Sequence, residues 1–315
     1  MPPTRSPRTS PTPSARWCWA SLTGRMDRVV RLIVNPSAGG GRAARLLPDV
    51  EMALRSHGLS FRVDRTTSIE HARELARAAR EAGEVAVAMG GDGVAGAVAG
   101  EIQGSGMPMG LLPGGRGNDL ARKLGIGHDP VAAVDILAAG RERSIDVAEA
   151  GGTVYVGILS AGFDSEVNQI ANSTRLPLGT QVYAYGALRA LWSWTAADWE
   201  VVVDGGEHRF SGYAVAVANS GVFGGGMWLV PDASLEDGLL DVAFTEHRPK
   251  AAYLRGLNKV FKGTHVNDPG FTLLRGREVT FSASRPFTAY ADGDPIADLP
   301  TTVRVLPGAL RVIAP

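Results

Sequence analysis

Three turns of this chain combine glycine with residues able to handle phosphate. They are Asn35-Pro36-Ser37-Ala38-Gly39-Gly40-Gly41-Arg42, then Gly90-Gly91-Asp92-Gly93, then the glycine-rich loop that runs through Gly115 and Arg116 to Asn118 and Asp119. Glycine lacks a Cβ, so it admits positive φ and lets backbone N–H groups approach phosphate oxygens closely. An aspartate in such a turn does not bind phosphate directly, because like charges repel. Asp92 could instead hold a Mg²⁺ that bridges phosphates, or receive a proton. A GGDG by itself is equally compatible with a tight turn and an exposed aspartate. The P-loop pattern GxxxxGK[ST] is absent, and the first loop has no lysine where that motif needs one. A GxGxxG followed by an acidic residue about 20 positions later is not matched cleanly either.

The elements around these turns alternate strand and helix. Val29 to Val34 is a β-branched run that predicts a buried parallel strand. Helical spacing over Ala43 to His57 ends at Gly58, a C-cap residue. Phe61 to Asp64 is a second strand. A helix follows from Ser68 to Ala82, with Glu70 and Glu74 in its early turns, and Gly83 closes it. Val85 to Met89 and Met109 to Leu112 are the third and fourth strands, separated by a helix of small residues. This α/β order predicts a doubly wound parallel sheet with all three glycine turns at its carboxyl edge, where such sheets hold ligands.

From about Ser144 the pattern changes to short alternating runs: Thr153–Leu159, Trp199–Val203, Tyr213–Ala218, Leu239–Phe244, Glu278–Ser282 and Thr288–Ala291. These predict an antiparallel β-sandwich domain. A helical insert is expected at roughly Tyr183 to Ala196, carrying Tyr183, Leu188, Leu191, Trp192 and Trp194. The last strand, Val303 to Ile313, is expected to return to the first domain. Residues 1–25 are rich in Pro, Ser, Thr and Arg and are expected to stay disordered. Their arginines suit a leader less than a start of translation at Met26, because MDRVVRLIVNP runs straight into a strand.

Composition narrows the classes. Of 315 residues, 44% are hydrophobic and 20% charged, the balance of a globular protein, and the formal net charge is zero. No global field favours a nucleic-acid backbone. The single cysteine, Cys18, excludes an internal disulfide and a cysteine-rich metal site, and fits a cytosolic protein. No stretch reaches the roughly 18 apolar residues of a spanning helix. The histidines, among them His71, His208, His247 and His265, lack ligand spacing.

The ordered blocks VNPSAGGGR, GGDG, PGGRGNDLARKLGI, YVGILSAGFDSEV, AVANSGVFGGGMWLVPDASLEDGLLDV and YADGDPI make the chain resemble the diacylglycerol kinase catalytic domain, shared with sphingosine kinases. It is more remotely similar to NAD kinases and phosphofructokinases. The resemblance runs from about Val29 to the C-terminus. It implies a nucleotide-binding α/β domain at 27–145 with a return segment at 303–315, a β-rich lipid-substrate domain at 146–302, and ATP between them. Asn35, Ser37, Gly39 and Gly115 would line the nucleotide phosphates, with Thr66 a further nucleotide contact. Gly91, Asp92 and Gly93 would approach the phosphates and Mg²⁺. Asn118 and Asp119 fall on the family's Asn-Asp pair, with Asp119 in an acidic network. The same pair also suits the N-cap of a helix over Leu120–Leu124.

The family's proton acceptor is the acid of a DGE motif, which falls here on Asp294 of Asp292-Gly293-Asp294. Asp-Gly is also a strong hairpin signal. The run from Pro231 to Leu239 resembles a segment where bacterial members hold a structural Mg²⁺, through Asp237 and the carbonyls of Ser234 and Leu239; a plain Asp-Gly turn is the alternative. Four positions depart from the family. Asp294 is one methylene shorter than the usual glutamate, Val94 replaces a threonine, Arg116 replaces a threonine and either supplies charge to phosphates or projects into solvent, and Gly40 stands where some relatives have lysine. Trp192, Trp194, Trp199, Phe223, Met227 and Trp228 line an acyl channel, touch a membrane, or form ordinary core.

The resemblance implies an ATP-dependent kinase of a lipid hydroxyl, with diacylglycerol as first substrate, cytoplasmic and peripheral to the inner face of the membrane. A homodimer is compatible with it. A sphingoid base or soluble alcohol as acceptor, and a catalytically silent nucleotide- or lipid-binding regulator, are the alternatives.

Overall fold

The computed structural model describes residues 28–163, 165, 194–250, 252, 256 and 259–315. The expectations for the first 25 residues, Met26, Tyr183, Leu188, Leu191 and Trp192 lie outside the described residues. Trp194 to Ala196 are described and are not helical.

The first lobe contains β1 (Val30–Val34), α1 (Ala38–Ser56), β2 (Phe61–Arg65), α2 (Ile69–Glu81), β3 (Val85–Gly90), α3 (Asp92–Ile102), β4 (Pro108–Pro113), α4 (Asp119–Lys123) and α5 (Ala133–Ala139). Strands β2, β1, β3 and β4 lie side by side, all parallel. Every residue of β3 and β4 is buried, which is why both read as unbroken apolar runs rather than as alternation. Helices α2 and α3 pack on each other, as do α1 and α5.

The second lobe begins with β5 (Glu142–Ala150), β6 (Thr153–Tyr155) and β7 (Ile158–Gly162). It continues through β8 (Ala197–Val203), β9 (Gly206–Ala218), β10 (Val222–Phe223), β11 (Met227–Trp228), β12 (Leu240–Glu246), β13 (Phe271–Gly276), β14 (Glu278–Ala283), β15 (Thr288–Ala291), β16 (Asp294–Asp298) and β17 (Thr301–Ile313). Pairing here is antiparallel. The exception is the end of β17, which lies parallel to β4 through Arg311↔Pro108 and Val312↔Met109. One long strand thus belongs to both lobes and ties them together.

The core of the second lobe is aromatic. Trp199 stacks on Phe287 with centroids 5.2 Å apart, and Trp194 stacks on Tyr213 at 6.1 Å. Trp194 and Trp199 are buried in this cluster, so they are core residues. Truncating such a side chain to alanine costs about 3–5 kcal/mol. Phe223, Met227 and Trp228 are half-buried on the β10–β11 hairpin, with the Lys123 ammonium 5.7 Å from the Trp228 ring centre.

One expected strand is broken. Thr153–Leu159 was read as continuous, but β6 stops at Tyr155 and β7 starts at Ile158. Asn219 donates its Nδ2 protons to the carbonyls of Asp146 and Val156, while the backbone N–H groups of Asn219 and Ser220 donate to Gly157. The interruption is therefore bonded from one side by a buried asparagine, and its other side meets a carboxylate described below.

Candidate active site

The first loop is built by side-chain bonding and by three glycines. The Asn35 carboxamide oxygen accepts from the Ser37 N–H (3.1 Å) and hydroxyl (2.8 Å), which closes an Asx-type turn. Gly39, Gly40 and Gly41 then take φ of 61°, 66° and 84°, a left-handed run that side-chain-bearing residues rarely adopt. Regular helix begins only after them, so α1 follows the predicted loop rather than replacing it.

The three turns converge, the first reaching the third where a Cβ on Gly39 would fall 2.5 Å from the Gly114 carbonyl oxygen. Gly114 and Gly115 both donate to the Gly90 carbonyl, at 2.8 and 2.9 Å. A Cβ on Gly115 would fall 2.3 Å from the Cα of Gly91, so only glycine lets the second and third turns touch. Asn118, at φ 52°, accepts from the Gly115 N–H and donates to its carbonyl, holding the third turn closed. It does not cap α4 with its own side chain. Asp92 does so instead: its Oδ1 accepts the N–H groups of Asp119 (2.6 Å) and Leu120 (3.2 Å). The carboxylate of the GGDG turn is thus partly buried and fixed, not free in solvent.

Asp119 joins the lobes. Its Oδ1 accepts from Arg122 at 2.8 Å and its Oδ2 from the Gly225 N–H at 2.8 Å. Gly117 lies between the two carboxylates. A Cβ there would stand 2.7 Å from Asp92 Oδ2 and 3.3 Å from Asp119 Oδ2. Burial, and next the charge of Asp119, push the Asp92 carboxyl above the usual carboxylate range. Two like charges flanking an open glycine fit a divalent cation, which would take these oxygens together with phosphate oxygens and water.

Around this centre, Thr66 is buried, and its hydroxyl donates to the Ser68 carbonyl. Val94 is buried, with its Cβ and one methyl 3.4 Å from where a Cβ on Gly90 would stand. Arg116 is exposed and has no hydrogen bond or ion pair among the described residues. A Cβ on Gly40 would meet nothing within 4 Å, but its φ disfavours a side chain there.

The fourth turn comes from the second lobe. Asp292 (φ 54°) and Gly293 (φ 98°) form a two-residue connection between β15 and β16, with Ala291 paired to Asp294. Positive φ at both central positions is the primed hairpin geometry. Asp294 is exposed, close enough to α2 to feel the charges of Arg73 and Glu70. Desolvation by neighbouring atoms raises its carboxyl above the ordinary value, with Arg73 opposing. Asp292 points inward, and burial followed by the Asp92 charge pushes its carboxyl up to about 7. Asp92, Asp292 and Asp294 therefore share one stretch of the interface between lobes.

The segment expected to hold a structural Mg²⁺ has a different partner. Asp237 Oδ1 accepts the Leu239 N–H at 3.1 Å, and Oδ2 pairs with the Arg275 guanidinium. Arg275 also reaches buried Asp241 at 3.0 Å. The Ser234 hydroxyl accepts the Glu236 N–H. Among the described residues no group of three or more acidic, histidine or cysteine side chains could hold a metal. The Asp237 carboxylate is therefore already paired with a guanidinium. Two carboxylates escaped sequence reasoning. Asp292 is one. Asp146 is the other: it is buried and accepts the N–H groups of Gly238 and Gly308 at 2.7 Å each, fastening the 234–239 segment to β17.

A parallel sheet with glycine turns at its carboxyl edge, joined by a shared strand to an antiparallel sandwich that delivers acidic residues, defines a two-lobed nucleotide-site architecture. The diacylglycerol kinase catalytic domain matches residues 29–150, and the YegS C-terminal NAD kinase beta sandwich-like domain matches residues 157–314. The chain is 32% identical to a protein named diacylglycerol kinase from Mycobacterium tuberculosis (strain CDC 1551 / Oshkosh), over 91% of this chain and 95% of the relative. It is 27% identical to a Bacillus subtilis (strain 168) protein of the same name, over 84% and 89%. A crystal structure of a diacylglycerol kinase from Bacillus anthracis str. Sterne superposes with a TM-score of 0.72 at 18% identity, over 91% of this chain and 97% of that one. The chain belongs to the diacylglycerol kinase family.

Proposed function

We propose that the chain is an ATP-dependent lipid kinase that moves the γ-phosphoryl group to a lipid hydroxyl, with a diacylglycerol-like alcohol as first substrate. The relatives' names support the lipid-kinase class. The observation that carries the reading is the convergence of three glycine turns on Asp92 and Asp119, with Asp294 brought to the same interface by the second lobe.

In this reading Asn35, Ser37, Gly39, Gly91, Gly93 and Gly115 present backbone and hydroxyl groups to the phosphates. Exposed Arg116 supplies charge there, and Asn118 and Thr66 hold the flanking turns. A Mg²⁺ at Asp92 and Asp119 would neutralise phosphate charge when bound. Asp294 takes the proton of the lipid hydroxyl as the phosphoryl group moves, and desolvation raises its carboxyl above the ordinary value. Catalysis is mostly positioning and charge neutralisation. No helix among the described residues is long and apolar enough to cross a membrane. In this reading the lipid is reached from the membrane surface, at its cytoplasmic face.

The test is radiolabelled ATP with a panel of diacylglycerol, sphingoid bases and soluble alcohols. Label in diacylglycerol supports the reading. Label only in soluble acceptors, or ATP binding without transfer, overturns it. Asp294→Asn should abolish transfer while leaving ATP affinity nearly intact.

A further inference from the structure

A hairpin of the Asp-Gly kind needs only a residue tolerant of positive φ at its first position, and its side chain ordinarily faces water. Asp292 does something else. Its Oδ2 accepts the N–H groups of Val156 (3.3 Å) and Gly157 (3.4 Å), the two residues that interrupt the strand between β6 and β7. Its Oδ1 occupies the space of a side chain at residue 157: a Cβ on Gly157 would lie 2.0 Å from it. Its Oδ2 stands 3.6 Å from where a Cβ on Gly96 of α3 would be. One carboxylate therefore touches the β6–β7 interruption and the helix that begins with Asp92. The ionisable groups that interact with it are Asp92, Asp294 and Tyr155, and none is a cation.

Placing a carboxylate in acidic surroundings is costly, so its two backbone bonds define what it is there to do. We propose that Asp292 is a positioning residue: it seats the turn that carries Asp294 against the Val156–Gly157 interruption and α3, and so fixes where the proton acceptor stands. This rests on the reading of Asp294 as that acceptor. The role needs a hydrogen-bond acceptor rather than a charge. Asparagine at 292 keeps an acceptor and tolerates the left-handed φ, whereas glycine tolerates the φ and removes the acceptor.

The experiment compares Asp292→Asn, Asp292→Gly, Gly157→Ala and Asp294→Asn in the full chain. Asp292→Gly is expected to lower kcat ~100-fold, the scale of a misplaced reacting group, with ATP affinity within about threefold of the parent. Asp292→Asn should stay within about tenfold of the parent kcat. Gly157→Ala, which forces the carboxylate out, should reproduce Asp292→Gly, and it carries the test if the glycine variant does not fold. Parent kcat in Asp292→Gly or in Gly157→Ala overturns the proposal, as does Asp292→Asn falling as low as Asp292→Gly.

Full activity in Asp294→Asn together with a dead Asp292→Gly also overturns it, since Asp292 would then act directly. Amide hydrogen exchange separates this proposal from the lipid-kinase reading. Faster exchange at Val156, Gly157 and residues 288–298 in Asp292→Gly, but not in Asp292→Asn, is expected whatever the acceptor substrate. Unchanged exchange in both overturns the seating.

Discussion

Asp119 Oδ2 accepts the Gly225 N–H at 2.8 Å, a bond between residues 106 positions apart that crosses from the α/β lobe to the sandwich lobe. Arg122, one helical turn on from Asp119, holds the other oxygen at 2.8 Å. Asp119→Ala leaves both donors without their partner, a cost of about 1–3 kcal/mol. Asp119→Asn still accepts from Gly225 and should lose less. Thermal melting should rank the chain as parent, then asparagine, then alanine. Equal melting temperatures for all three would show that the bond bridges nothing.

Asp92 carries a stability role and a charge role that one substitution separates. Asp92→Asn keeps an oxygen to cap Asp119 and Leu120. It removes the charge that burial and Asp119 make unfavourable. The expected result is a melting temperature equal to or above the parent's, with transfer reduced about 10²–10³-fold, the scale of losing one preorganised electrostatic group. Retained transfer in a folded variant would remove Asp92 from the chemistry.

Asp292 makes stability depend on pH. Its folded-state carboxyl is raised from 3.8 to about 7 by burial first and by Asp92 second. The folded chain therefore holds this proton more tightly than the unfolded chain does. The stabilising contribution is complete below about pH 4 and is lost as pH rises towards about 7. At ~1.4 kcal/mol per pH unit the loss reaches about 4 kcal/mol at most. Asp292→Asn has no proton to lose, so its stability relative to the parent should climb between pH 4 and 7 and then level off. Chemical denaturation at several pH values measures this, and a flat difference would contradict the burial of the charge.

What the sequence disclosed and what it hid divide by range. β3 and β4 were legible because burial on both faces leaves a local signature, an apolar run ending in glycine. The glycine turns were legible because glycine is required where backbones touch, as at Gly91 and Gly115. The break between Tyr155 and Ile158 was hidden, since it depends on a carboxylate 135 residues away. The capping of α4 by Asp92 was hidden for the same reason: Asn118 has the residue type of a cap, and the true acceptor lies 27 residues before Asp119. Aromatic residues gave types without places, so Trp194 and Trp199 could not be assigned to core until packing was seen.

Range matters again at Asp237, where the ion-pair partner is Arg275, 38 positions on. Its guanidinium pairs with Asp237 and, at 3.0 Å, with Asp241, which is 3% exposed. Burial raises the Asp241 carboxyl and Arg275 opposes that rise. Arg275 offsets one of the two carboxylate charges and Lys123 adds attraction at Asp241, which lowers the electrostatic demand for a divalent ion. Parent and Asp237→Asn should therefore show the same shift in melting temperature between EDTA and millimolar Mg²⁺, since the proposed ion site at Asp92 and Asp119 is unchanged in both. Arg275→Ala exposes two like charges to each other; with the guanidinium side chain 45% exposed, screening reduces the cost to about 1–2 kcal/mol. Magnesium should restore part of that loss in Arg275→Ala, because the ion then finds two unpaired carboxylates. If Asp237→Asn removes the parent's response to magnesium, or if Arg275→Ala melts like the parent in both buffers, the guanidinium is not the cation that holds this loop.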